Sequence, residues 1–345
     1  MDPDFQPAPP TKAFFDADRG AWVISRYADV AAALRETALY QASTSTGEIF
    51  PSGEAETARS GVFLQVREEL ARIGAGQLRL QMQQAAEKIT SNASAAGRVE
   101  LVAKVVHPWC VEFLMHLGGG PIHLTENVSE MSAALLYKHA NERSAAGPDE
   151  GVGGTRVDPE ETIDRFLEGK ELCVSKSMFV AVSTTLPGFL AKSLLALLRN
   201  PDQAARLLAE PRMMPSAIEE LLRYAGIVHT LHRKPIRDIQ LGGASIEKGQ
   251  LVLLKVASAN FDPEHFDDPY RLNLSRKAAC QFALGSGLHA CVGATLVREA
   301  SMVLTPVFLV ANPVLERGQT IDWMGDTTLK WPLSVLVRFE RNRGK

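Results

Sequence analysis

Apolar positions along the chain recur mainly with helical spacing. Ala21 to Ser25 is a short apolar run that predicts a strand, and Ala28 to Arg35 predicts a helix. Helical patterns resume from Phe63 to about Ile89, Val99 to Leu117 is strongly apolar, and Pro159 to Tyr224 reads mainly as helix. Within that stretch, Leu172 to Leu198 suits a long core helix, and Pro187-Gly188 predicts a kink or local opening in it. Asn200-Pro201 and Pro215 mark helix starts, because proline in a first turn loses no useful donor. From Ile239 to Leu253 apolar residues alternate around glycines, which predicts strands joined by tight turns. Gly293 to Val310 predicts a helix, and Leu329 to Glu340 predicts a strand. Gln41 to Glu56 and residues 143–160 are rich in Ser, Gly or Pro and read as loops, and residues 1–12 as a disordered lead. The sum is one mainly α domain over residues 1–345 with small β-sheets, not the alternation of a parallel α/β fold.

Composition narrows the class. The chain has 345 residues, 46% hydrophobic and 22% charged, with a net charge of −3. That profile fits a globular protein with a large core and argues against nucleic acid or an anionic membrane as the main partner. The start carries no signal-peptide pattern and no apolar run reaches spanning length, so the expected compartment is the cytoplasm. Four cysteines, Cys110, Cys173, Cys280 and Cys291, show no regular framework. The first three read as small buried hydrophobes.

The segment Leu284-Gly-Ser-Gly-Leu-His-Ala-Cys-Val-Gly293 carries the most chemistry. Its glycines let a backbone bend tightly and approach a flat object closely. Cys291 stands just before a predicted helix, whose amides and dipole favour a thiolate. A thiolate offered from such a loop can be the axial ligand of a haem iron. The segment resembles the haem loop of the cytochrome P-450 superfamily, Phe-Gly-x-Gly-x-His-x-Cys-x-Gly, matching at Gly285, Gly287, His289, Cys291 and Gly293. It departs at Leu284. Glu220-Leu-Leu-Arg223 resembles the Glu-x-x-Arg helix of the family, and Ala259 to Arg271 resembles its meander. The resemblance runs from about residue 13 to the C-terminus and is strongest after Leu172.

The resemblance implies a cytochrome P450 fold, with haem b between a long distal helix and the Cys291 loop. It implies a structural network of Glu220, Arg223 and Arg271. It places Arg233 and His289 at the haem propionates, and by a looser alignment Arg67, with Phe63 where the family has histidine. His232 is adjacent. On the distal helix the family pattern Ala-Gly-x-(Asp/Glu)-Thr-Thr corresponds to Val180-Ala-Val-Ser-Thr-Thr185. Thr184 then takes the oxygen-handling position, and Ser183 replaces the proton-relay acid. A hydroxyl passes a proton through water but is not an acid near neutral pH. Val180, Ala181, Val228, His229 and Leu231 line the substrate pocket, and Thr327 to Pro332 forms a turn over it. His229 either contacts a polar substrate group or moves protons, or is structural.

The activity so implied is oxidation of a small organic molecule by a biosynthetic monooxygenase. Dioxygen would be the oxidant, with electrons from an external ferredoxin- or flavodoxin-type donor rather than a fused reductase. Arg276, Lys277 and Arg298 are candidates for steering that donor, or ordinary solvated charges. The missing acid keeps open a peroxide-driven or non-oxygenating reaction such as rearrangement, dehydration or bond coupling. A non-catalytic auxiliary protein is a third reading. For this family the chain is short, chiefly before Ala21 and from Gly118 to Leu172. That predicts an open pocket, a second copy serving as its lid, or a small substrate.

Overall fold

The long apolar stretch after Leu172 sets the architecture. The computed structural model describes residues 3–41, 75–118, 128, 163, 167, 174, 176–277, 280–287, 290–325 and 328–340. The loops predicted at Gln41–Glu56 and at 143–160 therefore lie outside the described residues, apart from Gln41. So do Cys173, the helical pattern from Phe63 to Gly74, and nearly all of the shortened stretch after Gly118.

The helices are α1 (Tyr27–Arg35), α2 (Ala75–Ala96), α3 (His107–Gly118), α4 (Lys176–Val180), α5 (Leu186–Arg199), α6 (Pro201–Ala209), α7 (Met214–Ala225), α8 (Val256–Asn260) and α9 (Ala294–Val310). α4 and α5 are one helix interrupted by a π-helical turn, Ala181–Thr185. The Leu186 amide there donates to the Ala181 carbonyl, five residues back. Pro187 has no N–H to offer Ser183, so the turn before the proline is the one that widens. The predicted opening is thus real and lies one turn earlier than Pro187-Gly188. Against the expectation that no apolar run reaches spanning length, the stretch Met178–Arg199 is long and apolar enough to cross a membrane, but it is mostly buried in the fold as a core helix.

The described chain divides into two compact units. The first comprises residues 1–58, 192–298 and 327–330. Its sheet runs β1 (Phe14–Asp16), β2 (Ala21–Ile24), β8 (Leu251–Leu254), β5 (Leu231–Pro235), β3 (Leu39–Gln41). β2 and β8 are parallel and the other pairs antiparallel. α1 packs Val30 and Leu34 against Leu254, Ile239 and Ile246 in the core. The last two belong to the hairpin β6 (Ile239–Leu241) and β7 (Ala244–Ile246), which turns on Gly242 and Gly243 at positive φ. The expected disordered lead is instead docked. Phe5 is buried and stacks on Tyr224 at 5.2 Å, and Asp4 pairs with Arg199 at 2.8 Å. One aromatic in a proline-rich segment is enough to anchor it.

The second unit comprises residues 59–191, 299–326 and 331–345. Its antiparallel sheet runs β4 (Arg98–Glu100), β12 (Leu336–Phe339), β9 (Pro313–Leu315). The strand predicted over Leu329–Glu340 is two strands, β11 (Lys330–Pro332) and β12, broken at residues 333–335. β11 pairs with β10 (Trp323–Gly325). Trp109 is fully buried and donates from Nε1 to the Met82 carbonyl, tying α3 to α2. Glu100 is a small hub. One carboxylate oxygen accepts the Val102 amide at 3.0 Å and the Val335 amide at 2.7 Å, and the other accepts the Ala103 amide. Glu100→Ala strands these amides and is expected to lower stability by about 2 kcal/mol, read as a shift in the unfolding midpoint. The overall content, mainly helix with small sheets, agrees with the apolar spacing.

Candidate cysteine loop and distal turn

Cys291 is presented by a backbone that only glycine can follow. Gly285 and Gly287 both have φ of 68°. A Cβ on Gly287 would lie 2.6 Å from the Leu34 carbonyl oxygen, a clash as well as a strain. The Gly285 amide donates to Phe282 O, and the Cys291 amide donates to Leu284 O at 2.7 Å. The Ala294 amide donates back to Cys291 O, and α9 begins there. The residue is exposed. Its thiol is nonetheless ringed by protein, and this burial pushes its pKa up. The Gly293 amide and Arg298 pull the other way by less. The lowering expected from the helix end is therefore absent, because desolvation of the thiolate outweighs the helix amides. Gly293 itself leaves ordinary room, since a Cβ there would meet only Cys291 Sγ, at 3.9 Å.

Behind the loop, the charged network differs from the expected one. Glu220 and Arg223 on α7 form a bidentate pair at 2.8 and 2.9 Å, and both are buried. Arg223 Nη1 also donates to the Asn260 and Pro269 carbonyls. The second guanidinium on Glu220 is that of Arg276, at 3.0 Å, not Arg271. Arg271 contributes its carbonyl to Arg223 and Arg276, while its side chain is exposed. Arg276 further donates to the Asp267 and Asp268 carbonyls, so its guanidinium, rather than that of the exposed Arg271, turns in onto Glu220 and the meander. Arg298, the other cation considered for donor steering, is bidentate on Glu219 at 2.5 and 3.2 Å. Burial raises the Glu219 pKa, but the bonds from Arg298 and Gln281 take it below its ordinary value. Lys277 is exposed.

On the distal turn, Thr184 is fully buried and donates from Oγ1 to Val180 O at 2.7 Å. Thr185 does the same to Ala181 O at 2.9 Å. Ser183 is also fully buried, and its Oγ has no hydrogen-bond partner among the described residues. Ala181 is exposed and Val180 half-buried, so this face of an otherwise buried helix is open.

Val228 bridges Leu329, and β5 begins at Leu231. The His229 and Thr230 amides donate to Thr328 O, and the Lys330 amide to Ile227 O. Residues 227–230 and 328–330 thus form one wall. A residue that sequence reading missed holds it. Lys192 of α5, hidden in an apolar helix pattern, is buried, with Nζ 3.0 Å from Gly226 O and 3.4 Å from His229 Nε2. Burial, then Lys330, lowers its pKa to about 7. Burial, then Lys192, Lys330 and Lys255, lowers that of His229 to about 2. Burial and the neighbouring lysines thus favour the neutral ring, which keeps one donor and one acceptor nitrogen. Arg233 is buried and donates to His232 O at 2.9 Å. Arg67 and His289 lie outside the described residues, as does Thr327. Of the remaining cysteines, Cys110 is buried as expected, whereas Cys280 is exposed, since its segment runs along the surface.

Among the described residues, no group of three His, Cys, Asp or Glu is placed to hold a metal ion. A lone thiol on a glycine loop fits a metal that brings its other ligands with it, as iron in a porphyrin does. A sequence profile described as Cytochrome P450 matches residues 171–306. Cytochrome P450 107B1 of Saccharopolyspora erythraea is 26% identical over 358 residues, covering 92% of this chain and 87% of the relative. The mycinamicin IV hydroxylase/epoxidase of Micromonospora griseorubida is 24% identical over 352 residues, covering 92% and 87%. The crystal structure of the cytochrome P450 enzyme CYP109B1 from Bacillus subtilis shares the fold with a TM-score of 0.75 at 20% identity, covering 95% of this chain and 96% of that one. The profile match over residues 171–306, the relatives and the shared fold together support the cytochrome P450 superfamily for this chain, and with it an oxidoreductase.

Proposed function

We propose that this chain is a biosynthetic monooxygenase that ligates haem b through Cys291 and oxidises a small organic molecule with dioxygen. The observation that supports it most is Cys291 itself, an exposed residue offered from a loop whose backbone closes on Leu284 O. Bound haem supplies an iron at which dioxygen is activated, with electron density from the thiolate favouring O–O cleavage. Coordination by iron would hold the Cys291 thiol deprotonated, against the upward push of burial. Leu284, Gly285 and Gly293 shape the loop. Arg233, with His289 and Arg67, pairs with the propionates. Thr184 and Ser183 handle oxygen and protons. Val180, Ala181, Val228, His229 and Leu231 face the substrate. The electron donor is an external ferredoxin- or flavodoxin-type protein. Arg276 and Arg298 are already committed to Glu220 and Glu219, so of the three candidate cations Lys277 is the one left to steer it. The setting is cytoplasmic, in keeping with a long apolar helix that is buried as core.

The distal turn favours a second reading. Ser183 is no acid, and the Thr184 hydroxyl is turned back to Val180 O. Both facts suit a peroxide-driven or non-oxygenating haem-thiolate reaction. Purified protein is expected to give the thiolate type of ferrous carbon monoxide spectrum, and Cys291→Ser to abolish it while leaving the unfolding midpoint in place. An identical spectrum in both proteins would overturn the ligand assignment. Turnover with a redox partner, compared with turnover with peroxide, separates the two reactions.

A further inference from the structure

The buried amine of Lys192 has no part in the chemistry above, yet it sits where three segments of the first unit converge. Its Nζ donates to Gly226 O, the carbonyl at the end of α7, where a cation also complements the helix dipole. It lies 3.4 Å from His229 Nε2. With the ring neutral, Nε2 accepts and the ring proton resides on Nδ1. The Phe5 ring covers it at 5.9 Å. Gly226 is itself a pivot, since a Cβ there would lie 2.6 Å from Leu222 O and 2.8 Å from the Ala283 side chain. The chain leaving α7 is therefore fixed by packing on one side and by Lys192 on the other. What Lys192 holds at 226 and 229 passes on through the bonds joining His229, Thr230 and Lys330 to the paired segment 328–330.

We propose that Lys192 is a positioning residue which, by gripping Gly226 and His229, sets the shape of the wall formed by residues 227–230 and 328–330 and so selects which substrates the pocket admits. This rests on the proposed function for the direction in which the wall faces. The charged groups around the amine are Lys330 on the paired segment, Lys255 beyond His229 and bonded to Thr230 Oγ1, and Arg199 on the same helix, which pairs with Asp4 and also covers Phe5. As pH rises through about 7, Lys192 loses its proton and with it a donor and the charge that strengthens both bonds. The grip weakens with rising pH. Global stability moves the opposite way. Between about 7 and the ordinary 10.5 the unfolded chain holds a proton that the folded chain has lost, so this site makes stability rise with pH in that window.

The test uses the haem-loaded full chain with two probes, imidazole and 4-phenylimidazole, followed by their difference spectra. Imidazole reports access to the iron, and the phenyl group adds contact with the wall. Lys192→Met is expected to leave imidazole affinity within about twofold and to change 4-phenylimidazole affinity about fivefold or more. With affinities expressed for the neutral form of each probe, because imidazoles titrate in this range, the wild-type preference for 4-phenylimidazole is expected to fall between pH 6 and 8 and that of Lys192→Met to stay level. His229→Leu cuts the same grip from the other side and is expected to shift the preference in the same direction, which covers a Lys192 variant that does not fold. Hydrogen exchange at the His229, Thr230 and Lys330 amides, measured also without haem, is expected to quicken in both variants. Equal effects on the two probes, or an unchanged preference and unchanged exchange, would overturn the proposal. Loss of the thiolate carbon monoxide signature in the wild type would instead overturn the proposed function, and the exchange measurement would still decide the role of Lys192.

Discussion

Glu220→Ala is expected to lower stability by about 3–5 kcal/mol, the usual penalty for removing one partner of a buried charge network. Two guanidiniums depend on this carboxylate. Arg223 holds it with two bonds and Arg276 with one, at 2.8–3.0 Å. The Asn273 amide also donates to it at 3.0 Å. Losing Glu220 leaves Arg223 charged in the interior, stacked against Phe261 and Phe266, with only carbonyls to satisfy it. The network also fixes the meander, because Arg223 and Arg276 between them bind the carbonyls of Pro269, Arg271, Asp267 and Asp268. Arg276→Ala should therefore cost an appreciable part of the Glu220 penalty. Arg271→Ala should change stability by less than about 0.5 kcal/mol, as for an ordinary surface substitution. Its side chain is exposed and acts on the network only through its backbone, with a Coulomb pull on Asp202 besides. Chemical denaturation of the three variants ranks them, and an Arg271 penalty equal to that of Arg276 would refute the assignment.

That ranking shows where sequence reading runs out. The pair Glu220-x-x-Arg223 was legible because helical spacing alone puts both side chains on one face. The third member was not. Arg271 and Arg276 both end a segment without regular structure, and no periodicity decides which one turns inward. The cysteine loop was legible for the opposite reason: two glycines at positive φ are a constraint that few other backbones share. The opening in the distal helix was legible in kind and misplaced by one turn, since proline perturbs the residues before it. Lys192 was invisible because a single lysine in an apolar helix reads as a solvated tip. The carbonyl of Gly226 and the imidazole of His229 help to make its burial tolerable. Phe5 was hidden by the prolines around it. The third network member, Lys192 and Phe5 are each a polar or aromatic side chain whose partner is distant in the chain.

The packing of Gly188 against Trp331 should give the clearest coupling in the second unit. A Cβ on Gly188 would lie 2.8 Å from both Cγ and Cδ2 of Trp331, closer than real contacts allow. Trp331 is buried and rigid, so it cannot yield as a flexible side-chain end would. Gly188→Ala, which would otherwise improve a helix by about 1 kcal/mol, is expected to destabilise by about 1–3 kcal/mol instead. Trp331→Ala should cost about 3–5 kcal/mol through lost burial and a residual cavity. In the double variant the new methyl enters space that the indole has vacated. The two penalties should therefore not add, and the double variant should be at least as stable as Trp331→Ala alone. Denaturation midpoints of the four proteins close the cycle. Additive penalties would mean that the indole and the helix at Gly188 do not touch, and that β11 is held by something else.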